Sequence, residues 1–299
     1  MGKKGKKAQA GKPKKLTPKD VGKRLNTLAK KVEEELNGAD LFAPHPTNED
    51  CAICLVPISR LKFASVYQAC CGNSICTSCT IGHEDFIKKQ KEENAGKKIA
   101  FTCPFCREPI PTGPTADAEG YVQVQARCLQ NDHIALTHMG QLYQRGGPGT
   151  PKDDLKALDY LIRAVELGSA AACVTIGIIY EEGNGVAIDK ARAALFQRVG
   201  ALRGDVTARF NIGNFEYKSG NHEIVIRHWK IAAEAGNQKS LNNIRKFYYA
   251  DGKFPGKELI SKECMDGLYR VCHDAQMEVA GEEREKHRLL FELLGRKGS

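Results

Sequence analysis

Eight of the twelve cysteines in this 299-residue chain fall between Cys51 and Cys106, and no other feature narrows its fold so far. They read Cys51-Ala-Ile-Cys54, then Cys70-Cys71-Gly-Asn-Ser-Ile-Cys76-Thr-Ser-Cys79, then Cys103-Pro-Phe-Cys106. Three C-x-x-C steps and one adjacent pair make four ligand pairs, enough for two tetrahedral zinc ions. Two thiolates from one tight knuckle can each sit about 2.3 Å from a single metal, which is why this spacing suits zinc. A disulfide framework is the competing use of so many cysteines. The Lys-rich start has no apolar core behind it, so the chain reads as one without a secretory signal. Reduced thiols and a cytoplasmic or nuclear location are the expectation.

The order of the cysteines and their neighbours add to the metal. Cys-x-Ile-Cys-Leu, Cys-Gly-x-x-Ile-Cys-x-x-Cys and Cys-Pro-x-Cys-Arg together resemble a RING finger. That resemblance implies interleaved sites, with Cys51, Cys54, Cys76 and Cys79 on one zinc. Cys103 and Cys106 would share the other with two ligands from the 70–73 region. Here the sequence departs from the common pattern, because Asn73 stands where a histidine is usual. A neutral amide oxygen is a poor zinc ligand beside a thiolate. The all-cysteine RING variants favour Cys70 with Cys71; Cys71 with Asn73, or a contribution from His83, are the alternatives.

The same resemblance implies a partner. Ile53, Pro104 and Arg107 match the positions by which RINGs grip a ubiquitin-conjugating enzyme. The first two would form an apolar groove, and the arginine would hold the ubiquitin thioester in a reactive pose. Such a ligase works by fixing the orientation of reacting groups, with no catalytic nucleophile of its own and no covalent intermediate. The alternative is a non-catalytic zinc-binding interaction scaffold, in which Ile53 and Pro104 only pack the loops and Arg107 is a surface charge.

Beyond residue 131 the chain repeats itself. Ala135, Met139, Gly140 and Tyr143 recur as Ala172, Ile176, Gly177 and Tyr180, then as Ala208, Ile212, Gly213 and, shifted by one, Tyr217. A degraded copy follows in Ser240, Ile244, Arg245 and Tyr248. A second set aligns as well: Ala157, Leu161, Ala164, Val165 and Gly168 match Ala193, Gln197, Gly200, Ala201 and Gly204, then Val225, Trp229, Ala232, Ala233 and Gly236. Small residues at such positions let two helices approach closely, and the last glycine of each set suits a left-handed helix end. Ala-x-x-x-Ile-Gly-x-x-Tyr with Gly-x-Gly-Val-x-x-Asp resembles Sel1-like repeats, relatives of tetratricopeptide repeats. The resemblance implies helix pairs stacked into a curved solenoid whose concave face holds a substrate or partner protein.

The expected fold is therefore α-rich and multidomain: a small zinc-stabilised α+β RING module beside an all-α helical-repeat solenoid. The boundaries read as a disordered basic tail over 1–15, an amphipathic helix over 16–38, the zinc module over 45–112 and a linker over 113–131. The repeats span 132–252, and two capping helices follow over 253–299, the second carrying Leu289, Leu290, Leu293 and Leu294. Within the linker, Tyr121 to Gln130 fits either a strand or a helix. In the amphipathic helix Val21, Leu25, Leu28, Val32 and Leu36 form one apolar stripe, to be packed on the chain's own domains or on a second copy.

Charge sets the remaining limits. Residues 1–31 hold twelve Lys or Arg against Asp20, so the net +9 belongs to the tail and the rest sums to −2. A folded nucleic-acid surface is not indicated, and any such contact is expected to be weak and confined to that tail, which lacks aromatics for stacking. No apolar run reaches the roughly 18 residues of a membrane span. Cys128, Cys173, Cys264 and Cys272 lie scattered in helical sequence and read as small core residues.

Overall fold

The structure is a computed structural model describing residues 17–43, 49–55, 58, 65–94, 99–112, 116–147, 150–249 and 260–280, of which 275–280 are described as backbone alone. Eleven helices and one two-stranded sheet are present among them. The basic tail over 1–15 and the expected last helix with Leu289 to Leu294 lie outside the described residues.

Helix α1 (Pro18–Leu36) starts where the sequence places it. Thr17 caps it by accepting from the Asp20 N–H at 3.3 Å, and Pro18 occupies the first turn, where no N–H is needed. Val21, Leu25, Leu28 and Val32 are buried among residues of the repeats, so the stripe is satisfied within this chain. Three ion pairs flank it: Arg24 with Asp159, Lys31 with Glu166 and Arg203 with Glu35.

The cysteine module contains strands β1 (Ser65–Gln68) and β2 (Asn73–Cys76), antiparallel, and helix α2 (Thr77–Glu93). Among its described residues Ile58 and Ile75 pack with Cys51 and Cys79, joined by Ile53. Helix α3 (Ala116–Leu129) corrects the linker expected over 113–131. The helical period buries Cys128 and half-buries Tyr121 and Val124 on one face against the repeat core, leaving Val122 out; a strand would have turned Tyr121, Gln123 and Gln125 inward together.

The repeats form helix pairs: α4 (His133–Arg145) with α5 (Asp154–Glu166), α6 (Ala170–Glu182) with α7 (Lys190–Leu202), and α8 (Val206–Lys218) with α9 (His222–Glu234). Helices α10 (Gln238–Tyr249) and α11 (Lys262–Ala280) close the stack on α9. Capping is periodic. Asp132, Ser169, Asp205 and Asn237 each accept a backbone N–H at the start of a first helix, while Asp153 and Asp189 do so for second helices. Gly140, Gly177 and Gly213 mark where the helices of each pair cross. A Cβ there would fall against Leu161, Gln197 and Trp229, three residues already aligned in the sequence. Gly168, Gly204 and Gly236 have φ of +92°, +92° and +87°, the left-handed conformation that ends each pair. Ile260, Met265, Leu268 and Cys272 cover the last pair by packing with Trp229, Leu241 and Ile244.

Candidate metal centre

Folding brings the eight clustered cysteines into two groups of four. Cys51, Cys54, Cys76 and Cys79 form one and Cys70, Cys71, Cys103 and Cys106 the other, with the ligand atoms inside each group within 4.8 Å of one another. All are free thiols. The first group joins the knuckle 51–54 to the end of β2 and the first turn of α2. The second joins the β1–β2 turn to the knuckle 103–106. Asn73 pairs in register with Gln68 at the start of β2, while His83 Nε2 is engaged with the Thr102 carbonyl at 2.9 Å and is not in either group.

The donor set and the spacing fit zinc. Four thiolates about 2.3 Å from a tetrahedral ion lie about 3.8 Å apart. Cys54 Sγ and Cys76 Sγ are 3.9 Å apart, Cys71 Sγ and Cys103 Sγ 3.9 Å, and Cys70 Sγ and Cys106 Sγ 3.4 Å. The two knuckles share one backbone device. Leu55 and Arg107, each directly after a C-x-x-C, have φ of +58° and +63°, and each donates its N–H to the carbonyl of the first cysteine at 2.9 Å. A left-handed non-glycine residue costs on the order of 1 kcal/mol, so its repetition at equivalent places marks a constraint that the knuckle imposes. Backbone N–H groups of Ile53 and Cys76 also point at Cys51 Sγ, at 3.5 and 3.3 Å.

Electrostatics lead to the same chemistry. Hydrogen bonds from Cys76 and Cys79 push the Cys51 thiol far down, while sharing with Cys51 raises Cys76 to about 11 and Cys79 well above its ordinary value. One thiolate is thus stabilised and further negative charge is opposed, the situation a divalent cation reverses. Each group can hold one metal ion, and all four positions of a tetrahedral site would be filled by protein. In the remaining set burial raises Cys128 to about 11 and Cys173 to about 12, as expected of core thiols.

Ile53 and Pro104 are half-buried and Arg107 is exposed, with Leu55 and Phe105 exposed beside them. Sequence reasoning missed those last two, and it missed the junction between module and repeats. Tyr67 Oη donates to Asp132 Oδ2 at 2.6 Å, and Arg127 donates to the Cys71 carbonyl and pairs with Asp132 at 3.5 Å. Gly72, at φ +77°, lies where any Cβ would overlap the Arg127 guanidinium. No local spacing announces such contacts.

The fold and the cysteine groups define a helix-pair repeat protein carrying a two-site cysteine module. No family model matches the chain. The alginate biosynthesis protein AlgK of Azotobacter vinelandii is 37% identical over 95 residues, which is 32% of this chain; the match spans 20% of that protein. Among solved structures, a Sel1 repeat protein from Oxalobacter formigenes is similar at 30% identity and a TM-score of 0.45, covering 52% of this chain and 64% of that one. The protective antigen c5321 of uropathogenic Escherichia coli, described as displaying an SLR fold, is similar at 16% identity and a TM-score of 0.44, covering 82% and 48%. None of the described helices is long and apolar enough to cross a membrane.

Proposed function

We propose that this chain is a protein–protein interaction scaffold, in which a helix-pair surface holds a partner protein and a cysteine module is folded around two zinc ions. The observation that supports it best is a set of exposed aromatics on first helices of neighbouring pairs: Phe215 and Tyr217 on α8, and Tyr249 on α10, the last 66% exposed. Aromatic side chains anchor protein interfaces because they bury a large area at little cost in rotamer entropy. The stacked repeat presents them on rigid elements. In this reading zinc adds to the small apolar cluster formed by the module's described residues. The test uses a partner captured by the full chain and then purified. A Phe215→Ala/Tyr249→Ala double variant with unchanged helical circular dichroism is expected to bind it at least tenfold more weakly. Equal binding by the double variant sinks the reading.

The finer reading is a ubiquitin ligase. Its support is that apolar residues of both knuckles, Leu55 and Phe105, are exposed next to Ile53, Pro104 and Arg107. Autoubiquitination with a panel of conjugating enzymes decides it. Activity that drops at least tenfold in Ile53→Ala is expected; an inert wild-type chain removes the ligase and leaves the scaffold standing.

A further inference from the structure

We propose that Arg209 of α8 with Arg227 and His228 of α9 form a docking seat for a turn-forming peptide segment of a partner protein, one bearing an acid two places before an aromatic, and that residues 40–43 of this chain fill that seat in cis. The inference deepens the scaffold reading and rests on it.

After α1 the chain passes Gly38 and crosses to the third helix pair without regular structure. There Arg209, only 1% exposed, donates to the backbone carbonyls of Leu41 and Ala43, the latter at 3.4 Å. Between those two carbonyls the Phe42 ring sits against His228, with centroids 4.9 Å apart, and under Arg227, whose guanidinium carbon is 3.7 Å from the ring centre. The Phe42 N–H donates to Asp40 Oδ1 at 2.8 Å, which folds the segment into the required bend. Main-chain acceptors are gripped by an arginine and one aromatic is clamped by a cation and an imidazole. That is how a folded protein reads a linear peptide: backbone for affinity, one side chain for specificity.

Two further observations bear on the seat. Arg209 Nε and His228 Nδ1 are both buried with no hydrogen-bond partner among the described residues, so polar capacity is left at the seat. The surroundings are also cationic. Arg198 and Arg227 face His228 together with Arg209. The nearby carboxylate of Glu216 is taken by Arg198 and Asn221, which leaves Asp40 of the cis segment to act on Arg209. An acidic peptide suits such a seat.

The strength of attachment changes sharply at Gly38. Helix α1 is fixed by four buried apolar side chains and three ion pairs, whereas Leu41, Phe42 and Ala43 remain half-exposed. Helix α1 is thus the anchor on one side, and residues 39–43 are the releasable segment between it and the cysteine module. The short connections hold that segment at an effective concentration on the order of 1 mM, so a free peptide meets a seat that is mostly taken.

The test uses the full chain and a fluorescent, end-blocked peptide carrying residues 37–43. The wild-type chain is expected to bind it weakly. Phe42→Ala, which loosens the cis occupant, is expected to bind at least tenfold more tightly. Adding Arg227→Ala to that variant, a surface change that leaves the fold intact, is expected to remove most of the gain, and an Asp→Asn peptide to bind less well than the parent. The proposal is overturned if folded, zinc-loaded Phe42→Ala binds no better than wild type, or binds a scrambled peptide equally. A partner that still needs Phe215 and Tyr249 in that event keeps the scaffold reading while the seat falls. Peptide capture with no such partner upholds the seat and removes the aromatic surface on α8 and α10.

Discussion

The cysteine module and the helix pairs reach a fixed structure by opposite means. Among the described residues of the module four apolar or thiol side chains are buried together at its centre, two of them cysteines that belong to a candidate metal group. The repeats bury whole runs, such as Leu158, Leu161 and Ile162 on α5 alone. A unit as small as the module buries little apolar surface against its conformational entropy, and in the scaffold reading zinc coordination would supply the difference. The repeats stack, and each pair's apolar face is covered by the next.

The largest effect follows from that contrast. Structural zinc contributes about 10–16 kcal/mol of apparent folding free energy in small domains. Cys79→Ser is therefore expected to lower the zinc content from two per chain to one and to abolish amide protection in β1 and β2. Protection in α5 to α9 should stay near the wild-type level, since no cysteine of either group lies there. Metal analysis together with hydrogen exchange reads both. If the helix pairs lose protection at the same time, the two regions are not separate folding units and the comparison breaks.

A core change in the repeats probes the other side. Leu161 is fully buried and lies where a Cβ on Gly140 would meet it at 2.6 Å. Leu161→Ala is expected to destabilise the solenoid by about 2–5 kcal/mol in urea unfolding while the zinc content stays at two. Gly213→Ala errs in the opposite direction, by overpacking against Trp229, and is expected to cost about 1–3 kcal/mol.

These residues also show what the sequence discloses. Each helix pair touches mainly its neighbours, so the crossing glycines Gly140, Gly177 and Gly213, and their partners Leu161, Gln197 and Trp229, recur from copy to copy at a readable period. The C-x-x-C spacing is equally local. Helix α3 was harder, because Tyr121-Val-Gln-Val-Gln125 alternates like a strand and only its packing on α4 selects the helix. Contacts between distant parts left no trace: Tyr67 meets Asp132 across 65 positions, and Arg209 meets Leu41 across 168. Nothing periodic could mark Arg209, which sits among core positions of α8 as the one buried cation there.

Acid is expected to act on the repeats through His228. Burial first, then Arg209, Arg198 and Arg227, lower it from 6.5 to about 4. The folded state holds it neutral while the unfolded chain takes up a proton, so unfolding is favoured as the pH falls below about 6.5 and the effect is complete near 4. The full shift corresponds to at most about 3 kcal/mol. His228→Gln removes this proton uptake. Urea midpoints measured between pH 7.5 and 4 should therefore fall less steeply in the variant than in wild type, and parallel curves would exclude His228 as the cause.

The smallest effect lies at the junction and sharpens the comparison most. Tyr67 is half-buried and donates to Asp132, the same carboxylate that caps α4 and pairs with Arg127. Burial and the neighbouring carboxylate hold the Tyr67 phenol protonated well above its ordinary range, so the hydroxyl keeps its proton to donate. Tyr67→Phe keeps the ring against the repeat core and deletes only the hydroxyl. The loss should be about 1.5 kcal/mol, the usual net value for a hydrogen bond to a charged acceptor. Asp132 retains its capping role, so α4 keeps its N-terminus. What should change is the coupling: chelator-induced opening of the module is expected to lower protection in α4 of the wild-type chain, and Tyr67→Phe to reduce that transfer. If protection in α4 responds to zinc removal equally in both chains, the link runs through the Arg127 contact with the Cys71 carbonyl, and Arg127→Ala becomes the variant that uncouples the two regions.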